Sequence, residues 1–116
     1  MAMYACAAGG STYAVGALAL EDVRDVSPTL AALRVAAARN VSGSETEAKT
    51  LLIPGTTPQA QAARVVLTGK RPDGTEVVEH LAVFARGNRV FQAMVVGDRP
   101  DAEAVATFFD GLKVGL

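Results

Sequence analysis

The sequence predicts a mixed α+β fold, a mainly antiparallel sheet with helices on both faces, in the order β-β-α-β-β-β-β-α. Three features point there. The tight turn signals Pro72-Asp73-Gly74 and Gly87-Asn88 sit inside strand-like sequence, an apolar stripe at helical spacing follows Pro100, and the 116 residues suit one domain over residues 1–116. A domain of that size buries roughly two-thirds of the surface its unfolded chain exposes, so a full core is expected. Half of the residues are hydrophobic but only 5% are aromatic, and 22 are alanine, so small side chains should build the interior.

Residues 3–20 read as a hairpin, because Met3-Tyr4-Ala5-Cys6-Ala7-Ala8 and Thr12-Tyr13-Ala14-Val15-Gly16-Ala17-Leu18 flank the turn-prone Gly9-Gly10-Ser11. A charged connection of Glu21, Asp22, Arg24 and Asp25 leads to Ser27-Pro28, an expected helix start with Ser27 as N-cap and Pro28 in the first helical position. Leu30, Leu33 and Ala37 recur at helical spacing up to about Arg39. Residues 40–50 are polar, and Leu51-Leu52-Ile53 reads as a short strand before the Pro54-Gly55 and Thr57-Pro58 breaks. Residues 64–70, 75–86 and 89–97 then form a three-strand meander. Pro100 opens a last helix whose stripe is Ala102, Val105, Phe108, Phe109 and Leu112, with Asp101 and Glu103 facing the positive end of its dipole.

Turn length fixes register in a hairpin. A two-residue Gly87-Asn88 loop sets Arg86 opposite Arg89, Phe84 opposite Phe91, His80 opposite Val95 and Leu81 opposite Met94. A three-residue Pro72-Asp73-Gly74 loop with Gly74 left-handed sets Arg71 opposite Thr75, hence Val66 opposite His80 and Leu67 opposite Glu79. One face then carries Val66, Val78, Ala82, Phe84, Phe91, Ala93 and Val95 around His80. The other carries Val65, Leu67, Val77, Leu81, Val83, Met94 and Val96 with Glu79 and Gln92. A sheet with one wet face alternates apolar with polar, and this one is apolar on both, so each face needs a cover. Two helices can supply it, or a partner can take part of one face.

Eleven basic and twelve acidic side chains leave a net charge of −1 without a basic block, which disfavours nucleic acid and anionic membranes as partners. No apolar run approaches the roughly 20 residues of a membrane span. Cys6 is the only cysteine, so neither an intrachain disulfide nor a cysteine-based zinc cluster can form, and no cofactor or metal site is expected. A serine-type triad needs a base beside a nucleophile and an orienting acid. The single histidine, His80, stands in mid-strand between aliphatic neighbours, and Glu79 points to the opposite face, so it cannot orient His80. A Cys6–His80 pair and a small hydrolase site around His80 are the catalytic alternatives to a packing role. Arg86 and Arg89 face each other at a hairpin tip, an arrangement that either stays solvated or docks an acidic partner.

Arg89-Val90-Phe91-Gln92-Ala93, followed by Asp101 and by Phe108-Phe109-Asp110-Gly111-Leu112-Lys113, resembles the closing segment of the PsbP-like superfamily, and Pro54-Gly55 fits the Pro-Gly often found before the meander there. The similarity spans residues 53–114, with Gly111 where a serine is usual and an N-terminal hairpin unusually rich in alanine. It implies a compact α/β/α sandwich and a non-enzymatic role, as in photosystem extrinsic subunits, a Ran-binding import factor, Eag-type chaperones for secretion effectors and small bacterial lipoproteins. No catalytic residue carries over. In the chaperone-like members the sheet holds apolar client segments, which would engage Phe84, Phe91 and Met94; all three serve equally well as core.

The expected function is therefore that of a non-enzymatic bacterial envelope accessory or binding protein, with a chaperone or adaptor for secreted clients as the alternative. Its partner is expected to be a protein, a homodimer included. Residues 1–10 lack the basic start and apolar core of a secretory signal. The chain is thus either cytoplasmic or the mature form of a periplasmic or envelope protein, and the strand beginning at Met3 favours the second.

Overall fold

The structure, a computed structural model, describes residues 1–51 and 53–114. In chain order its elements are β1 (Ala2–Ala8), β2 (Ser11–Ala19), a 3-10 turn (Val23–Asp25), α1 (Val26–Asn40), β3 (Ser44–Lys49), β4 (Ala63–Lys70), β5 (Glu76–Arg86), β6 (Arg89–Gly97) and α2 (Ala102–Asp110). The fold is mixed α+β, with one six-stranded sheet in the order β1-β2-β6-β5-β4-β3. Every neighbouring pair is antiparallel.

The turns set the ladder as counted from the sequence. Gly9 and Gly10 both have positive φ, 57° and 80°, as a two-residue type I′ turn requires, and Ala8 pairs with Ser11. The first hairpin therefore turns on two residues instead of the three read from Gly9-Gly10-Ser11. Gly74 (φ 86°) closes the β4–β5 turn, where the Arg71 N–H donates to the Thr75 carbonyl, and the Asp73 carboxylate accepts from the Thr75 N–H and hydroxyl. Val66 pairs with His80, Leu67 with Glu79, Phe84 with Phe91 and Arg86 with Arg89.

Alternation along β4, β5 and β6 splits the interior in two. Val65, Leu67, Val77, Leu81, Val83 and Val90 pack with Val26, Leu30 and Ala37 of α1. Ala82, Phe84, Ala93 and Val95 pack with Val105 and Phe109 of α2 and with Ile53. Burying a Leu or Val side chain contributes about 1.5–3 kcal/mol, so the central strands and the two helices hold most of the stability. β1 adds none of this, since all seven of its residues are exposed.

Three expectations about local structure need correction. First, Leu51-Leu52-Ile53 is not a strand: Leu51 and Ile53 lie outside any element, Leu52 falls outside the described residues, and Ile53 is buried beside α2. The strand is Ser44–Lys49 instead, in a stretch read as polar connection. It forms because Gly43 and Gly69 let the chain leaving α1 cross the end of β4 closely, with the Lys70 N–H donating to the Val41 carbonyl (2.8 Å). Arg34 of α1 then clamps Glu45 through two donors at 2.9 and 2.7 Å. Second, Ser27 is not the N-cap. Asp22 caps the preceding 3-10 turn by accepting from the Arg24 N–H, and α1 runs on from it at Val26, which is fully buried. Pro28 still falls in the first turn, where its missing N–H costs no hydrogen bond. Third, Ala102 is exposed and lies outside the buried stripe of α2. Asp101 caps that helix, accepting from the Ala104 N–H at 2.8 Å, and Glu103 stands in its first turn.

Candidate functional site

The residues singled out in the sequence divide among three settings. Phe84 is 4% exposed and stacks on Phe91 with ring centroids 5.3 Å apart, so it is core. Phe91 is half-buried at the edge of the same cluster, and the Arg89 guanidinium lies over its ring at 5.5 Å. Met94 is half-buried in the cluster under α1, so alternation along β6 keeps it from joining the other two in one surface.

Arg86 and Arg89 do meet at the β5–β6 turn, but they are not equivalent. Arg86 is half-buried and donates to the Gly55 carbonyl at 3.1 Å, which ties the turn to the connection before β4. The Gly87 N–H reinforces this tie by donating to the Thr57 hydroxyl at 2.9 Å, and Thr57 forms a bridge with Ala85. Arg89 is exposed and has no ion pair among the described residues. It stands between two recesses. An open one runs along Gly55, Thr57, Pro58 and Arg86; the other, about 250 Å3, has a floor of Val15, Phe84, Phe91 and Leu112, with Lys113 as a second cation. The far wall of that groove is held by the Val114 N–H, which donates to the Pro54 carbonyl at 2.9 Å.

His80 is half-buried between Val66 and Val95, and no hydrogen bond joins it to another described side chain. Burial, reinforced by the positive charges of Arg64 and Lys49 and offset by Glu47, moves its pKa down from the ordinary value, which favours the neutral imidazole. Glu79 lies on the other face, 4% exposed, with one carboxylate oxygen lacking a partner among the described residues. Desolvation raises its pKa to about 7. Cys6 is exposed on β1, several strands away from His80 in the sheet order. Among the described residues no group of three or more His, Cys, Asp or Glu is placed to hold a metal ion. No helix there is long and apolar enough to cross a membrane.

Arg64 was missed by the sequence reading. Its guanidinium lies over the Phe109 ring at 4.4 Å and, with Lys49, Thr50, Ile53 and Asp110, lines a cavity of about 210 Å3. The available signal was its place at the head of a strand, directly before the apolar run Val65-Val66-Leu67, on the face that must receive α2. Comparison with protein-family models and with curated proteins finds no match to this chain.

Proposed function

We propose that this chain is a non-enzymatic accessory module of a bacterial cell envelope, a PsbP-like α/β/α sandwich that works by binding another protein. The groove beside Arg89 carries this reading. Its floor of Val15, Phe84, Phe91 and Leu112 is apolar, and two cations, Arg89 and Lys113, stand at its rim. Such a groove suits an extended partner segment that places an aliphatic or aromatic side chain on the floor and an Asp or Glu beside Arg89. The setting of His80 between Val66 and Val95, where no hydrogen bond joins it to a hydroxyl or carboxylate among the described residues, supports binding over catalysis. The envelope placement rests on the resemblance, and fractionation of the native host tests it separately.

Partner capture tests the binding role. The wild-type chain is expected to co-purify with a protein from its native host, and Arg86→Glu with Arg89→Glu to lose that protein at least tenfold, as mass spectrometry reads it. Arg89→Glu alone, which leaves the Arg86–Gly55 contact in place, should lose most of the capture without a fall in melting temperature. Equal capture by all three chains would end the docking role of this tip.

A further inference from the structure

We propose that β1 is the contact for a second copy of this chain, the two β1 strands pairing antiparallel about a two-fold axis at Ala5 to join two six-stranded sheets into one. The inference rests on the free edge of the sheet and is independent of the Arg89 groove.

The two edges of the sheet are built differently. β3 carries Glu45, Glu47 and Lys49, its pairing with β4 shifts register between Glu45 and Glu47, and Arg34 holds it from one side. Charge and irregularity are the devices that keep an edge strand from pairing again. β1 has none of them. Its pairing with β2 runs unbroken from Ala2–Ala17 to Ala8–Ser11, and residues 1–20 contain no Asp, Glu, Lys, Arg or Pro. In a two-fold contact a strand meets a copy with its own net charge, so an edge with an excess of one sign repels its copy whereas an uncharged one does not. The absence of charge thus fits a copy of itself better than it fits an acidic or basic partner.

The backbone supplies the register. With a two-residue turn, Ala8 and Ser11 flank the loop and exchange hydrogen bonds, and alternation then turns Ala2, Tyr4, Cys6 and Ala8 toward β2. The N–H and C=O groups of Met3, Ala5 and Ala7 point outward. Centring the two-fold on Ala5 uses all of them: Ala5 meets the partner's Ala5, Met3 meets the partner's Ala7, and the symmetric pair repeats the contact. Side chains follow. Tyr4 comes opposite the partner's Cys6 on the face that holds an apolar groove of about 250 Å3 lined by Tyr4, Cys6, Tyr13, Val15 and Phe108. Tyr4, 81% exposed in the single chain, is the largest exposed side chain of the strand and gains a seat over that groove in the pair.

A seven-residue strand contact belongs at the small end of protein interfaces, so dissociation in the micromolar range is expected. Sedimentation of the full chain, from low micromolar to about 0.5 mM, should carry the mass from 11.9 kDa to twice that value. Ala5→Pro removes an outward N–H and none that serves β2, so it should keep the circular dichroism of the wild type and stay monomeric at the highest concentration. In a Cys6→Ser background, Ala5→Cys should form a disulfide-linked dimer on mild oxidation, since directly paired residues lie about 5.5 Å apart. Ala2→Cys in the same background faces the partner's Ala8 and should not cross-link. The proposal is overturned by a wild-type mass that stays at 11.9 kDa throughout, by assemblies larger than a dimer, or by a dimer that survives Ala5→Pro. If Ala5→Pro does not fold, equal cross-linking of the two cysteine variants overturns it.

Discussion

Glu79→Gln is expected to stabilise the protein at pH 8 and to remove most of its loss of stability between pH 5 and pH 8. Glu79 is 4% exposed between Leu67 and Val96, and desolvation lifts its carboxyl pKa from 4.5 to about 7. The folded state therefore holds its proton more tightly than the unfolded chain does. A raised pKa contributes stability that is complete below the unfolded value and is lost as pH climbs through the folded one. The lifted carboxyl accordingly costs the fold about 2–3 kcal/mol once ionised at pH 8. Gln keeps the shape and never ionises, so the variant should melt on the order of 10 °C higher than wild type at pH 8 and close to it at pH 5. Melting curves across that range decide the matter, and parallel pH profiles for the two chains would refute it.

The largest loss is expected from a single methyl group at Gly69. A Cβ there would collide with the Val41 carbonyl, and one at Gly43 with the Thr68 carbonyl, because the chain leaving α1 crosses the end of β4 in backbone contact. Neither obstacle is a flexible side-chain end, so the crossing itself must open, which would also release the Lys70 to Val41 hydrogen bond and the start of β3. Gly69→Ala should cost about 3 kcal/mol or more and lower the melting temperature by more than about 10 °C. Gly74→Ala is the control. Its φ of 86° is strained for alanine but open space surrounds it, so it should cost only about 1 kcal/mol. Equal losses at the two positions would mean that backbone conformation, and not the crossing, governs both.

The meander was legible because its determinants are local. Two turns of defined length set the pairing of all three strands, and the period-two pattern then exposes the apolar character of both faces. β3 was not legible for the opposite reason. Ser-Glu-Thr-Glu-Ala-Lys has no apolar alternation and buries nothing; it is a strand only because Gly43 and Gly69 bring it to β4 and Arg34 holds it there. Propensity carries no trace of such a tertiary device.

At the candidate site the sequence paired Arg86 with Arg89 and left their difference unseen. That difference depends on Gly55, a residue 31 positions away, accepting from Arg86 alone. Phe84 and Phe91 were correctly placed on one face, but only packing decides that Phe84 lies almost fully buried on the floor of a groove beside the more open Phe91. Met94 sits one pleat away from both, under the other helix.

The order of strands has a consequence for synthesis of the chain. β1 and β2 leave the ribosome before the other four strands of the sheet, yet β2 is held to the rest of it only through β6, the last of the six to be made, with Ala19 opposite Arg89. The remaining neighbours are consecutive strands that can pair as they emerge. The hairpin made earliest must therefore wait for the sheet that receives it, uncharged along its length and open at both edges, and its safety in that interval depends on how quickly β6 follows.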